Sequence, residues 1–302
     1  MAGGLKAPAA GASGPEHPSG GTPDVAPESA GGTQSIARAV ALLMLVGRAG
    51  AEGARLADLV ARSGLSKPTV RRVLLALVRA GLVDQDEASR RYHVGPEAYV
   101  LGTLAAPRFG IHALALDGLS RIARQSGDCA FLSVPRGAFS VCLHREEGTW
   151  PIRTHVLQAG DRHPLGIGAG GLAILAALPE AEAARIIEAN AAALAAYPGY
   201  SPDLLRAAMG ETRARGYALN PGLYVAGSWG IGVPVRGADG RPLGALSLAA
   251  IESRLGAERQ TELVPLLQRE AAALEAKLGG SERGPPPRSA RPIARPLARP
   301  AP

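Results

Sequence analysis

The 302-residue chain contains only two cysteines, Cys129 and Cys142. Two thiols are too few for a disulfide framework or for a zinc site built from four cysteines. The chain also lacks an uninterrupted apolar run of about 18 residues, the length that a membrane-spanning helix needs. Its first residues have no apolar segment of the kind that a secretory signal contains. These absences favour a cytoplasmic protein without a membrane partner.

The motifs of common enzyme classes are missing as well. The sequence contains no Gly-x-Ser-x-Gly, no P-loop and no His-Glu-x-x-His. The glycine run at 166–171 follows Arg162-His163-Pro164 rather than an apolar strand, so a dinucleotide-binding enzyme is the weaker interpretation. The cysteines and histidines form no C-x-x-C or H-x-x-x-H pair. We therefore expect no enzyme, no catalytic residue, no metal site and no cofactor.

Large apolar side chains are scarce at both ends of the chain. Residues 1–32 are rich in Gly, Pro, Ala and Ser, and residues 281–302 repeat Arg-Pro. Neither segment buries enough apolar surface to offset the entropy of ordering, so we expect a disordered arm and a disordered Arg/Pro tail. The net charge of +7 is uneven, because residues 33–97 carry ten bases and six acids whereas 98–280 carry seventeen and sixteen. Outside the tail, the basic excess therefore belongs to the first part of the chain.

Residues 33–95 have the pattern of a winged helix-turn-helix domain. A first helix is predicted over 33–49, a second over 56–62 and a third over 66–80, with Ser66 as its N-cap. Two short strands around the polar turn 86–89 predict the wing. The apolar stripe of the first helix should be buried, and its members are Ile36, Val40 and Leu43, with Leu42, Leu45 and Val46 beside them. The stripe of the third helix comprises Val70, Val73, Leu74 and Leu77.

The third helix presents basic residues and has no acid between 66 and 80. Such a helix, placed after a tight turn, is typical of one that enters the major groove of DNA. The residues that we expect to contact DNA are Ser66, Lys67, Thr69, Arg71 and Arg72 on the helix, and Arg90 and Arg91 on the wing. The alternative is a helical core whose charges are merely solvated.

The remaining chain predicts a linker helix over 96–106 and an α+β domain over 107–280. The linker helix is apolar and suited to packing on a second copy of the chain. Strands of this domain are predicted at 130–134, 139–143, 152–157, 229–236 and 242–251. Helices are predicted at 111–125, 168–178, 180–190, 202–215 and 257–278. Antiparallel strands flanked by helices indicate a layered α+β fold.

A glycine-rich segment in this domain is the candidate ligand site. Glycines allow close approach of a ligand to the backbone, and the helix that begins there offers free N–H groups that suit a carboxylate. A small organic acid is therefore a reasonable ligand, although tight helix–sheet packing explains the glycines about as well. The candidate residues are Leu165, Gly166, Ile167, Gly168, Ala169 and Gly170, together with Trp229 and Ser247.

Several segments resemble the IclR family of bacterial transcription regulators. They include Ser35-Ile36-Ala37-Arg38-Ala39-Val40, Leu65-Ser66-Lys67-Pro68-Thr69-Val70-Arg71-Arg72, Arg91-Tyr92-His93-Val94-Gly95, His163-Pro164-Leu165, Arg213-Ala214-Arg215-Gly216-Tyr217-Ala218-Leu219-Asn220 and Gly232-Val233-Pro234-Val235. The resemblance covers residues 35 to 278. It implies a winged-helix domain, a linker helix and a GAF-like α/β effector-binding domain, assembled as dimers or tetramers on palindromic operators. Gly230 stands where the family often has a cysteine beside its effector pocket, and it completes the candidate site.

The resulting expectation is a sequence-specific DNA-binding transcription regulator whose operator affinity responds to a small organic effector. The alternative is a ligand-sensing or scaffold protein without specific DNA binding. The basic charge on residues 66–80 and 90–91 distinguishes the two hypotheses.

Overall fold

A computed structural model describes residues 33–151 and 156–281 of the chain. At 107–109 and 280–281 it describes the backbone alone. The predicted arm over 1–32 and all of the predicted tail beyond Ser281 lie outside the described residues. Within the described part, no single helix is both long and apolar enough to cross a membrane. The helices Pro96–Ala106 and Ile111–Ser126 are together long and apolar enough, but a 94° bend separates them.

The first domain is a three-helix unit with a two-stranded wing. Its elements are α1 (Thr33–Gly47), α2 (Leu56–Ser63), α3 (Lys67–Arg79), β1 (Val83–Gln85) and β2 (Tyr92–Val94). The left-handed Gly64 (φ 65°) ends α2 and turns the chain into α3. Val70, Leu74 and Leu77 are buried on the inner face of α3, as the spacing predicts. The antiparallel wing pairs Val83 with Val94, and the predicted winged helix is confirmed.

Only part of the expected apolar stripe of α1 is buried. Leu42, Leu45 and Val46 form the buried face, whereas Ile36 and Val40 are 66% and 51% exposed. A helix of this length can turn only one stripe toward α2 and α3, and the larger cluster near its C-terminus occupies that position. The prediction that Ile36 and Val40 are buried within the domain is therefore wrong.

The second domain is built on a six-stranded antiparallel sheet in the order β5-β4-β3-β8-β7-β6. Its strands are β3 (Cys129–Arg136), β4 (Phe139–Glu146), β5 (Arg162–Pro164), β6 (Ala218–Pro221), β7 (Ser228–Arg236) and β8 (Pro242–Ile251). The helices are α4 (Pro96–Phe109), α5 (Ile111–Ser126), α6 (Gly168–Ala177), α7 (Glu180–Ala189), α8 (Ala191–Leu194), α9 (Pro202–Arg215) and α10 (Ala257–Ser281). Helix α4 is the predicted linker helix, which extends three residues further than expected.

Alternation along the strands divides this domain into two cores. Leu132, Val233 and Leu246 point to one face of the sheet, where α5 and α10 cover them. The other face carries α6, α7 and α9 with their own apolar cluster. Residues one position along the same strands, such as Phe131 and Ser247, face the α6 side because successive side chains alternate.

The edge strand beside β4 differs from the expectation. It is the short β5, which pairs Ser140 with His163. Residues 152–155 of the predicted strand lie outside the described residues, and Val156 and Leu157 are not in a strand. The pairing of β5 brings the start of α6 back across the sheet.

Candidate DNA-binding surface and effector cavity

The outer surface of α3 carries the basic residues expected from the sequence. Lys67, Arg71 and Arg72 are exposed, while Val70 and Leu74 on the opposite face are fully buried. Ser66 stands at the N-cap position, but its hydroxyl lies 2.9 Å from that of Thr69 and makes no capping bond to the backbone. The first turn of α3 therefore keeps its free N–H groups, which together with the bases suit a phosphate.

The two wing arginines have different environments. Arg90 is exposed and adopts a left-handed backbone (φ 58°) at the end of the wing turn. Nη1 of Arg91 instead donates to the carbonyls of Glu52 and Gly53, at 3.1 and 3.0 Å. Arg91 thus ties the wing to the turn before α2 and keeps only its remaining N–H groups for a partner, a role that its sequence position did not reveal.

A shallow groove between α3 and the wing gathers three of the candidate side chains. Lys67 and Arg71 line one wall and Arg90 the other. Arg72 lies about 100° around the helix from Arg71 and is outside this groove. The wing turn also carries negative charge. The carboxylate of Asp86 accepts hydrogen bonds from the N–H and the hydroxyl of Ser89, and these bonds lower the pKa of Asp86. Positive charge is consequently strongest on α3 itself.

A cavity of about 580 Å³, open mouth included, lies between the sheet and the N-terminus of α6. Seven of the nine expected residues line it, namely Ile167, Gly168, Ala169, Gly170, Trp229, Gly230 and Ser247. Leu165 and Gly166 do not. Leu165 is fully buried in the core on the α6 side, and a Cβ on Gly166 would lie 2.7 Å from Leu205 Cδ2. These two residues therefore lie in packing contacts and outside the lining of the cavity.

Glycines in the first turn of α6 bring three serine hydroxyls close to the helix. A Cβ on Gly170 would lie 3.1 Å from Oγ of Ser133 and 3.2 Å from Oγ of Ser247, and one on Gly171 would lie 3.2 Å from Oγ of Ser140. The N–H of Gly168 donates to the hydroxyl of Tyr200 at 3.3 Å, but the following N–H groups of the first turn have no partner within the helix and lie beside the same space as the hydroxyls. This arrangement supplies hydrogen-bond donors without a formal charge.

The cavity also contains residues that the sequence patterns did not single out as ligands. Its described lining residues include Phe131, Ser133, Ser140, Cys142, His163, Asn220, Tyr224 and Ser228, and none of the lining residues that the structure describes is Asp, Glu, Lys or Arg. Burial raises the pKa of Cys142 to about 12, so its thiol stays protonated near neutral pH. Strand alternation could have suggested Phe131 and Ser133, but the sequence alone did not indicate that β5 pairs with β4 and so places His163 here.

Two family models match the chain over most of its described length. The model described as "Bacterial transcriptional regulator IclR C-terminal" matches residues 104–276, and the "IclR helix-turn-helix domain" matches 35–87. The chain belongs to the IclR family. The expected family, fold class and regulatory role are thereby confirmed, and its relatives are transcriptional regulators rather than enzymes.

Individual IclR relatives resemble the chain over nearly their whole length. The glycerol operon regulatory protein of Streptomyces coelicolor is 32% identical over 82% of this chain and 96% of that protein. The regulator XynR of Escherichia coli is 28% identical over 82% and 97%. The solved IclR regulator of Alicyclobacillus acidocaldarius has a TM-score of 0.68 at 27% identity, covering 82% of this chain and 99% of that one. An IclR homologue of Microbacterium hydrocarbonoxydans, solved with 4-hydroxybenzoate, has a TM-score of 0.65 at 21% identity, with coverage of 81% and 98%, and shares the fold.

Proposed function

We propose that this IclR-type regulator binds a palindromic operator sequence-specifically as a homo-oligomer, and that a small organic acid in the α6 cavity changes its operator affinity. The exposed surface of α3 carries this proposal, because Lys67, Arg71 and Arg72 project from a helix whose other face is firmly packed. An arginine can bind guanine O6 and N7 in a bidentate manner, which is worth about 1–3 kcal/mol of discrimination. Since its target is chromosomal DNA, the proposal places the protein in the cytoplasm.

Exposed apolar side chains support the homo-oligomer. They lie on α1 and α4, and comprise Ile36, Val40, Met44, Tyr99, Val100, Leu101 and Leu104. Exposed apolar side chains on two helices favour association with another protein surface. A second copy of the chain would pair two copies of α3 for the two halves of a palindrome.

The α6 cavity supports an organic acid as the effector. Its first-turn N–H groups after Gly168 and the hydroxyls of Ser133 and Ser247 are hydrogen-bond donors in a largely apolar enclosure, whereas the N–H of Gly168 donates to Tyr200 and the hydroxyl of Ser140 to the carbonyl of His163. The helix N-terminus adds the positive end of the peptide dipole. The 4-hydroxybenzoate bound by the Microbacterium relative is itself an organic acid. Helix α4 connects the two domains and is the element through which we expect the bound acid to alter the DNA-binding domains.

Substitution of Arg72 tests the role of α3. We expect Arg72→Ala to weaken binding to a fluorescent duplex from the protein's own promoter at least tenfold in an anisotropy titration, while the circular dichroism melt is unchanged. Arg79→Ala is the matched control, because Arg79 is exposed in the last turn of the same helix. Unchanged affinity of Arg72→Ala would contradict the assignment. Weak binding that salt abolishes, with no preference for the promoter duplex, would instead favour a ligand-sensing or scaffold protein.

Calorimetry against matched carboxylates and neutral compounds tests the effector. We expect acids to bind, and binding by neutral compounds alone would contradict the organic acid. An acid that binds should also shift the promoter affinity, and equal affinity with and without it would contradict coupling between cavity and DNA.

A further inference from the structure

The Arg/Pro tail takes no part in recognition by α3 or in the α6 cavity. Beyond Ser281 it contains five arginines and one acid, a net charge of +4 in 21 residues. The arginines are Arg283, Arg288, Arg291, Arg295 and Arg299, and each of the last three is followed by proline. Guanidinium groups stay charged in proteins, and a terminal segment of one charge sign is typical of one that binds a partner of opposite charge. The chemistry of the tail therefore suits a polyanion.

The last turns of α10 place the start of the tail beside the linker between the two domains. Nζ of Lys277 donates to the carbonyl of Leu114 at 3.4 Å, so the end of α10 lies against the first turn of α5. Gly110 joins α5 to the linker helix α4, which begins at Pro96, soon after the wing strand β2. At 1.5 Å per residue, the 14 residues of α4 are about 21 Å long. The tail thus begins about one helix length from the DNA-binding domain.

The tail is long enough to pass the linker. A chain of 21 residues spans at most about 70 Å, roughly three times the length of α4. Arg291 follows Ser281 by ten residues and can lie up to about 35 Å from the end of α10. Successive arginines at 291, 295 and 299 can lie up to about 14 Å apart, which is the rise of about four nucleotides on one DNA strand. All three are therefore within reach of a duplex held by the DNA-binding domain, and each can meet a different phosphate.

The protein itself is a poor partner for these arginines. Residues 33–97 contain ten bases and six acids, and residues 98–280 contain seventeen and sixteen, so neither part is acidic. The two acids in the C-terminal half of α10 already have partners. Oε2 of Glu270 lies 2.7 Å from Nη2 of Arg121, and Oε1 of Glu275 accepts from the backbone N–H of Arg236 at 2.6 Å. Residues 1–32 carry three acids and one base. Double-stranded DNA offers far more, about one negative charge for every 1.7 Å of its axis.

We propose that the Arg/Pro tail is a second DNA-binding segment, which binds the phosphate backbone of the duplex held by α3 without reading its base sequence. Arginine suits this role because its planar guanidinium can pair with two phosphate oxygens at once. The tail adds affinity for DNA of any sequence, whereas α3 selects the operator. This role rests on DNA binding by the first domain, but it depends neither on the sequence that α3 recognises nor on the effector.

Substitution of the five tail arginines by glutamine tests this role in the full-length protein. Anisotropy titrations measure the affinity for the promoter duplex and for a duplex of shuffled sequence, between about 0.05 and 0.3 M salt. We expect the five-glutamine variant to bind both duplexes at least about tenfold more weakly near 0.1 M salt, because each lost phosphate contact reduces the release of counterions. The slope of log K against log salt should become shallower by about 2 to 4 for both duplexes. The ratio of the two affinities should stay within about twofold of that of wild type, since phosphate contacts do not read sequence.

Two kinds of control separate the tail from net charge alone. Substitution of the same five arginines by lysine retains the charge and should keep the salt slope within about one of the wild-type value. Arg124→Gln combined with Arg185→Gln removes two exposed charges from the second domain and should leave the slope unchanged. Arg295→Gln combined with Arg299→Gln removes two charges from the tail and should make the slope shallower by about 1 to 2.

The contrary outcomes are equally specific. A five-glutamine variant with the salt slope of wild type would overturn the role of the tail, as would equal effects of the two double variants or a loss confined to the promoter duplex. If the tail instead binds the acids of residues 1–32, the five-glutamine variant should bind DNA as tightly as wild type or more tightly, which also overturns it. A protein without preference for the promoter duplex would contradict specific recognition by α3, yet a shallower slope of the five-glutamine variant on both duplexes would still support the tail.

Discussion

At the scale of single residues, His163 should make the stability of the second domain depend on pH. Burial lowers its pKa from 6.5 to about 4, with Arg48 adding to the decrease and Asp161 opposing it. Between these values the unfolded chain binds more protons than the folded one, so the free energy of unfolding falls as the pH drops from about 6.5 toward 4. We expect a loss of about 2–3 kcal/mol attributable to this group, measured by urea unfolding at pH 7 and pH 4.5.

His163→Gln supplies the control for this pH dependence. The amide does not titrate, so the variant should lose less stability than wild type between the two pH values. An identical loss in both proteins would mean that other groups govern the acid sensitivity, which would contradict a neutral buried imidazole.

Several properties of single side chains depend on long-range pairing and could not be predicted from the sequence. His163 enters the cavity because β5 pairs with β4. Arg91 donates to carbonyls 38 and 39 residues earlier in the chain. Gly166 and Leu165 look like their neighbours in composition, yet they face Leu205 and the core instead of the cavity. The exposed bases of α3 were predictable because local helical periodicity separates them from its buried face.

At the scale of elements, the contact between α6 and β7 depends on small residues. A Cβ on Gly232 would lie 2.8 Å from the carbonyl oxygen of Ala169, which is backbone and cannot move aside easily. We expect Gly232→Ala to destabilise the domain by about 1–3 kcal/mol, because overpacking forces the helix away from the sheet. The same displacement should weaken effector binding, since Ala169 and Gly170 line the cavity.

A second glycine provides the matched comparison. Gly210 is exposed inside α9, and a Cβ there would have no atom within 4 Å. Gly210→Ala should stabilise the protein by about 0.5–1 kcal/mol through helix propensity alone. Urea unfolding of the two variants should therefore give changes of opposite sign, and a neutral Gly232→Ala would show that the α6–β7 contact is looser than its geometry indicates.

Most helices and strands could be predicted from the sequence because their signals are local. Capping residues, glycine stops and apolar periodicity located α2, α3, α9 and β8 to within about two residues. In α1, Ile36 and Val40 were assigned wrongly to the buried stripe because two apolar rows, one led by Ile36 and one ending at Val46, have similar periodicity and only tertiary packing chooses between them. The three-residue strand β5 has too few residues for an alternating pattern.

At the scale of the whole molecule, the same ambiguity in α1 leads to a prediction about assembly. The row that the domain leaves exposed includes Ile36, Val40 and Met44, and α4 adds Leu104, which is 73% exposed. An apolar face of this kind is expected to be covered in a dimer, and in a two-fold interface each substitution acts twice.

We therefore expect Leu104→Glu to raise the dimer dissociation constant about a hundredfold or more, because the two copies together lose about 3 kcal/mol of apolar burial and two carboxylates are forced into the interface. Sedimentation equilibrium measures the change directly. Thr103→Glu is the matched control, since it adds the same charge at an adjacent exposed position of α4. A dimer that resists Leu104→Glu would place the interface elsewhere. Two half-sites read by linked domains bind far more tightly than either alone, so a monomeric variant should bind a palindromic duplex more weakly. Undiminished affinity of such a variant would show that one copy of α3 suffices for recognition.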